Sequence, residues 1–183
     1  MRSVLFVTGN KGKAEEVRRL LSPLSVAVEE AELDEIKSLS HEAALKSKAL
    51  HAYALFRKPL VVEDTCLFLD AFPQFPGTYS KFAVRTMGLD GILRLLEGRK
   101  RGATFVTLVA FVNEGGMRVF KGECRGKITR RVIRPVPDGL AYDAVFIPDG
   151  EKRTFSKMTK EEKAKYSHRA KAFGAFRKWY VDS

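Results

Sequence analysis

The sequence predicts an α/β fold with a mixed β-sheet, and two observations carry that prediction. Apolar, β-branched runs are interspersed with segments of helical period. Two central apolar runs, residues 103–112 and 117–123, flank Asn113-Glu114-Gly115-Gly116. They predict a hairpin, which brings antiparallel strands into the sheet. The 183 residues contain no repeat, linker or low-complexity tail, so a single domain over 1–183 is expected.

The elements follow in order. Residues 2–8 are apolar and β-branched, a buried first strand. Residues 11–21 place Ala14, Val17, Leu20 and Leu21 on one helical face, and Gly9 and Gly12 flank the turn before them. Residues 24–28 suit a second strand. Residues 39–56 suit a longer helix, its apolar side built from Leu39, Ala43, Leu45, Ala49, Ala52, Tyr53 and Phe56. It ends before Pro59, because proline disfavours helix in the residue ahead of it. Residues 60–65 are a strand that residues 66–72 continue or bend back from. Pro73, Pro76 and Gly77 predict a loop, and residues 89–96 a short helix. A proline-bearing loop at 134–139 and a short strand at 144–147 precede a helical end. Thr159 and Glu162 stand in capping-box relation, so a helix starts near Lys160. Phe173, Phe176 and Tyr180 recur at near-helical spacing and are expected in the core.

The net charge of +11 attracts polyanions, either nucleic acid or a triphosphate. It also fits a solvated surface. Charged residues are 30% of the chain, Gln74 is the only glutamine, and Asn10 and Asn113 are the only asparagines. That bias suits a protein built for high temperature. A nucleic-acid-binding module needs basic residues on one stripe with exposed aromatics. Here the basic residues are scattered and the aromatics sit at core spacing. Cys66 and Cys124 are too few for a disulfide framework and are expected as small buried hydrophobes. No apolar run approaches the roughly 20 residues of a membrane span. The apolar start is too short for a signal sequence, so a cytoplasmic location is expected.

Three segments carry chemistry. Thr8-Gly9-Asn10-Lys11-Gly12-Lys13 lies where a strand meets a helix start. Free backbone N–H groups converge there and the helix dipole favours an anion. The two glycines are expected to let a ligand approach, and Lys13 adds a point charge. The Walker A spacing is absent. Glu63-Asp64-Thr65 ends an apolar strand run. Adjacent strand residues face opposite ways, so Glu63 and Asp64 are not expected to share one centre. A buried carboxylate needs a partner or a metal, and magnesium uses one or two carboxylates plus substrate phosphates. The acidic stretch Glu29, Glu30, Glu32, Asp34 and Glu35 offers further carboxylates. Lys163, His168 and Arg169 cannot share one face of a continuous helix. Ser167 is expected to cap a new helix, and that break aims all three into one cleft. His41 and His51 are expected to be surface or packing residues.

These motifs resemble a known family, the non-canonical purine nucleoside triphosphate pyrophosphatases, also called inosine triphosphate pyrophosphatases. The family's opening pattern is met by Thr8, Gly9, Asn10, Lys13 and Glu16. Its middle resembles Val62-Glu63-Asp64-Thr65-Cys66-Leu67 and Phe75-Pro76-Gly77-Thr78-Tyr79-Ser80-Lys81-Phe82. Its end resembles Tyr142-Asp143, Phe146-Ile147-Pro148-Asp149-Gly150, Thr154-Phe155-Ser156-Lys157-Met158 and Ser167-His168-Arg169. The chain departs from the pattern at Leu140-Ala141, where the family often has Phe-Gly, and at Ala43-Ala44, where it has Glu-Asn-Ala.

The resemblance implies a two-lobed α/β fold with an elongated sheet and a cleft between the lobes. It implies a homodimer that hydrolyses inosine, deoxyinosine or xanthosine triphosphate to monophosphate and pyrophosphate with Mg2+. By position, Thr8, Gly9, Asn10, Lys11, Gly12 and Lys13 hold triphosphate. Glu35 and Asp64 face the metal, and Asp64 is the base for the attacking water. Lys48, Thr65, Lys81 and Lys163 contact substrate. Leu140, Ala141, Tyr142 and Asp143 lie near the base with His168 and Arg169, whose donors meet a 6-keto oxygen. A related pyrophosphatase for modified pyrimidine nucleotides is the alternative within this chemistry, and a basic nucleic-acid-binding domain is the alternative outside it.

Overall fold

The computed structural model describes residues 3–33, 36 and 38–182. β1 (Ser3–Val7) leads into α1 (Lys11–Leu20), β2 (Ser25–Glu29) and α2 (His41–Phe56). β3 (Leu60–Leu69) bends back into β4 (Phe72–Gly77), and α3 (Ser80–Leu95) follows. β5 (Gly102–Asn113) and β6 (Gly116–Ile128) form the long central hairpin. β7 (Phe146–Pro148), α4 (Lys160–Tyr166) and α5 (His168–Asp182) complete the order, with 3-10 turns at Ala141–Ala144 and Phe155–Lys157.

The strands form one sheet in the order β2-β1-β3-β5-β6-β7, with β4 on β3. β1 runs parallel to β2 and β3, whereas β3, β5, β6 and β7 pair antiparallel in turn. The sheet is therefore mixed, as the hairpin predicted.

Strand alternation sorts the core onto two faces. Phe6, Val61, Val109 and Phe111 pack with Val17 and Leu21 from the α1 side and with Phe173 and Phe176 of α5. Val7, Val62, Leu108, Ala110 and Val112 pack with Leu45, Ala49 and Ala52 of α2 on the other face. A separate core gathers Leu69, Ile92, Leu96, Phe105, Phe146 and Phe155 between α3, the far half of the sheet and β7. That is the second lobe. No helix among the described residues is long and apolar enough to cross a membrane.

Two expectations change. Pro73, Pro76 and Gly77 lie in a strand rather than a loop, with Leu67 opposite Gly77 and Phe68 opposite Pro76. β4 pairs with β3 alone among the described strands. Its free side needs no ladder donor, so proline is tolerated there. The short helix expected at 89–96 is the second half of α3, whose backbone breaks at Gly88 (φ 66, ψ 173).

Candidate active site

α1 starts where β1 runs out of sheet partners. Asn10 is its N-cap, and the Asn10 side-chain oxygen accepts from the Lys13 amide at 3.0 Å. The Asn10 amide donates to the Thr8 hydroxyl at 3.2 Å, and its side-chain nitrogen donates to the Gly139 carbonyl at 3.0 Å. The amides of Lys11 and Gly12 have no earlier helical carbonyl to reach, so this end favours an anion. Gly12 also has a packing reason. A Cβ there would stand 3.0 Å from the Asp138 carbonyl oxygen. Its missing side chain makes room for the loop before Leu140, whose own side chain lies beside Gly12.

Glu63 and Asp64 face opposite ways on β3, as strand geometry required. Glu63 turns to the α1 and α5 side and pairs with Lys13 and with Arg169 Nε at 2.9 Å. Burial by itself would raise its carboxyl, but the charges of Arg169 and Lys13 outweigh burial and hold it far below the usual range. Asp64 turns to α2. Its Oδ2 lies 3.2 Å from His41 Nε2 and 3.8 Å from Cys66 Sγ. Burial opposes ionisation here too, yet the approach of His41 and the charges of Lys13 and Lys48 hold the carboxyl below its usual range.

The Ser167 break forms as predicted. Thr159 caps α4 with both bonds of the capping box, α4 ends at Tyr166, and Ser167 Oγ accepts from the Ala170 amide at 3.3 Å to open α5. The first turn of α5 presses on β6 at Gly122, where a Cβ would stand 2.1 Å from the His168 carbonyl oxygen. This contact drives His168 and Arg169 into the sheet. Arg169 is 2% exposed. It pairs with Glu63 and Glu16 and donates to the Thr65 hydroxyl at 3.4 Å. Thr65 also meets Thr107 at 2.6 Å. Lys163 pairs with Glu16 and with Asp143 at 2.5 Å. Lys13, Lys163 and Arg169 thus interleave with Glu16, Glu63 and Asp143 in one buried network.

Within the network the carboxyls differ. Burial raises that of Asp143, and Lys163 offsets this only in part. Glu16 is held below its usual range because Arg169 and Lys163 outweigh burial. His168 stacks on Phe105 at 4.3 Å between ring centres. Its Nδ1 is buried without a hydrogen-bond partner. Burial first, then Arg169 and Lys163, keep the ring neutral far below the usual histidine value.

The structure therefore brings Thr8 to Lys13, Glu63, Thr65, Asp143, Lys163, His168 and Arg169 together. Lys48 joins Asp64 on the opposite face of β3. Lys81 is exposed on the first turn of α3, and Ala141 is half-buried against the second-lobe core. Tyr142 departs from expectation. Its ring lies in that core, edge-on to Phe105, and its hydroxyl donates to the Ser80 carbonyl at 3.1 Å. The 3-10 turn at Ala141–Ala144 points it inward. Glu35 lies outside the described residues.

Three residues of the site had been given no role. Glu16 stands within the opening motif. Thr107 is set opposite Thr65 by the β3–β5 register, which no local pattern shows. His41 was expected to pack or face solvent. Instead, the Ser40 cap places it at the start of α2, against Asp64.

Known proteins resemble this chain over almost its whole length. The model of the Ham1 family matches residues 4–179. The dITP/XTP pyrophosphatase of Methanopyrus kandleri is 41% identical, covering 98% of this chain and 97% of its own length. That of Saccharolobus solfataricus is 40% identical over 93% and 89%. The solved HAM1 protein of Coxiella burnetii superposes with a TM-score of 0.82 over the full length of both chains at 24% identity, a likeness of fold. A dITP/XTP pyrophosphatase from Mycobacterium abscessus superposes with a TM-score of 0.68 at 29% identity, over 95% and 98% of the two chains. The family-model match and the near-full-length relatives settle the family: the chain belongs to the Ham1 family.

Proposed function

We propose that this chain is a nucleoside triphosphate pyrophosphatase that hydrolyses ITP, dITP and XTP to the monophosphate and pyrophosphate, cleansing the nucleotide pool. The observation that carries the reading is the convergence of three distant segments. The α1 start, Glu63-Asp64-Thr65 and Ser167-His168-Arg169 meet around one buried charge network. Relatives at 35–41% identity that are named dITP/XTP pyrophosphatases support it.

The chemistry is positioning and charge neutralisation at the α-phosphorus. The first-turn amides of α1 hold phosphate oxygens. Lys13, Lys163 and Arg169 are already engaged by carboxylates. Further positive charge for the triphosphate then comes from Lys11, Lys48 and Lys81. Asp64 is ionised at neutral pH, so it accepts the proton of the attacking water. His168 and Asp143 read the purine edge. A 6-amino base there meets a donor instead of an acceptor, which leaves a buried polar group unpaired. Arg169 has a supporting part, holding Glu63 and Glu16 in register beneath them.

Magnesium fits the Asp64 side. One ionised carboxylate with substrate phosphates is a common holding for this ion, and Glu35 is its companion in this reading. When bound, it supplies positive charge against the charge developing on phosphate oxygens.

We also read the protein as a cytoplasmic homodimer. Cys66 and Cys124 are buried thiols rather than a disulfide, which supports a reducing compartment. The dimer rests on the family resemblance. The test of function is product analysis. Purified protein, magnesium and a nucleotide panel should yield pyrophosphate and monophosphate together from ITP and XTP, and chelator should stop the reaction. Stepwise release of orthophosphate overturns the reading.

A further inference from the structure

The α2 side of the site contains donors that magnesium does not use. His41 Nε2, an Asp64 carboxylate oxygen and Cys66 Sγ all lie within 4.8 Å of one another. Asp64 Oδ2 stands between the other two, 3.2 Å from the nitrogen and 3.8 Å from the sulfur. A tetrahedral ion with bonds of about 2.0–2.3 Å to nitrogen, oxygen and sulfur keeps its ligands roughly 3.3–3.7 Å apart. Two of the three spacings are already near that range, and the third, within 4.8 Å, needs a closure of at most about 1 Å.

The fold accounts for the cluster. Asp64 and Cys66 are two apart on β3 and so project from the same face. Ser40 caps α2 and fixes His41 as its first residue. His41 is 10% exposed at the side chain, and its Nε2 is buried. That nitrogen faces the Asp64 carboxylate at 3.2 Å. A buried imidazole nitrogen grouped with a carboxylate and a thiol is a donor set of the kind that holds a borderline-soft divalent ion. Asp64 keeps 17% side-chain exposure, which leaves an entry path. Imidazole and thiolate select zinc-like ions, whereas magnesium takes oxygen.

We propose that His41, Asp64 and Cys66 bind one divalent transition-metal ion of the zinc or cobalt class in the absence of nucleotide. The fourth position stays open to water or a substrate oxygen, as in three-ligand sites. Binding converts the Cys66 thiol to thiolate and releases one proton to solvent, with no change of oxidation state. Asp64 belongs to both this site and the magnesium site, so occupation by one ion excludes the other. The inference concerns the resting protein and does not depend on which nucleotide is hydrolysed.

Cobalt(II) supplies the test. Chelator-stripped, untagged protein is titrated with cobalt(II) alone. The expected result is one equivalent bound, with tetrahedral visible bands and a thiolate-to-cobalt charge-transfer absorption in the near ultraviolet. Cys66→Ser should lose the charge-transfer band, and Cys124→Ser should keep it. His41→Gln should weaken binding by at least the roughly 10–100-fold that losing even an outer-shell partner costs. Circular dichroism melting checks the fold of each variant. Should Cys66→Ser fail to fold, the affinity of His41→Gln and the band in Cys124→Ser decide. No stoichiometric cobalt in the wild type, a band surviving in Cys66→Ser, or unchanged affinity in His41→Gln overturns the proposal. Hydrolysis assays on the same samples are read separately, so failure of the nucleotide reaction leaves the binding result standing.

Discussion

Glu63 and Asp64 are neighbours in sequence and sit on opposite faces of the sheet. Glu63 is locked between Lys13 and Arg169, while Asp64 faces His41 from a partly open position. Two adjacent carboxylates therefore do different work. One closes a structural charge network and the other is available for chemistry.

Asp64→Asn preserves shape and removes the charge that accepts a proton. Turnover on ITP should fall by roughly 100-fold or more, the scale of general-base catalysis. The melting temperature should barely change. Steady-state kinetics beside a thermal melt checks both. Near-native turnover would shift the base to another residue.

Glu63→Gln should do the opposite in kind. It leaves Lys13 and Arg169 buried with reduced compensation, which costs about 3–5 kcal/mol when a buried pair is broken. Urea unfolding measures it. The pH dependence has a definite sign. The Glu63 carboxyl is depressed in the folded state, so its stabilisation is complete above the ordinary value of 4.5 and is lost as pH falls below that. The variant should lose less stability than the wild type over that acid range. Glu16 adds to the loss in both proteins, and Asp143, whose carboxyl is raised, works against it.

Arg169→Ala tests whether this residue reads the base or supports the site. Its guanidinium is fully engaged with Glu63, Glu16 and Thr65. The variant should unfold more easily, and its kcat/KM should fall by a similar factor for ITP and ATP. Selective loss of ITP activity at one magnesium concentration would return Arg169 to the nucleobase.

His168 stays neutral because burial and two cations depress its affinity for protons. The unfolded chain therefore binds a proton that the folded chain refuses as pH drops below the ordinary 6.5. Stability should fall with pH there, by at most about 1.4 kcal/mol per pH unit from this residue. His168→Gln, which does not titrate, should show a shallower slope from pH 7 to pH 5 in urea unfolding. Equal slopes would place the titrating group elsewhere.

Tyr142→Phe removes a hydroxyl whose partner is the Ser80 carbonyl inside the second lobe. Stability should drop by about 1 kcal/mol, the net worth of one hydrogen bond, leaving an unsatisfied carbonyl as the main penalty. KM for ITP should be unchanged within error. A rise in KM without a change in melting would put the ring at the substrate after all.

The sequence by itself determined α1, α2, the hairpin, the capping box at Thr159 and the break at Ser167. These depend on spacing and on side chains acting within a turn or two. It also determined that Glu63 and Asp64 diverge, since strand alternation is local. The three segments that meet around the buried charge network were legible as well, because each motif is contiguous. What each residue touches was decided only by the tertiary structure. Lys13, Lys163 and Arg169 carry the same signal in a sequence whether they meet phosphate or carboxylate. The approach of α1, α4 and α5 to one face of β3 engages all three with Glu16, Glu63 and Asp143. The pairing of Thr65 with Thr107 follows from strand register, and His41 reaches Asp64 because α2 crosses the other face of the sheet. Tyr142 was drawn inward by a short 3-10 turn whose direction depends on the second-lobe core. Contacts between distant segments depend on how whole elements pack, and no local pattern of residues encodes that.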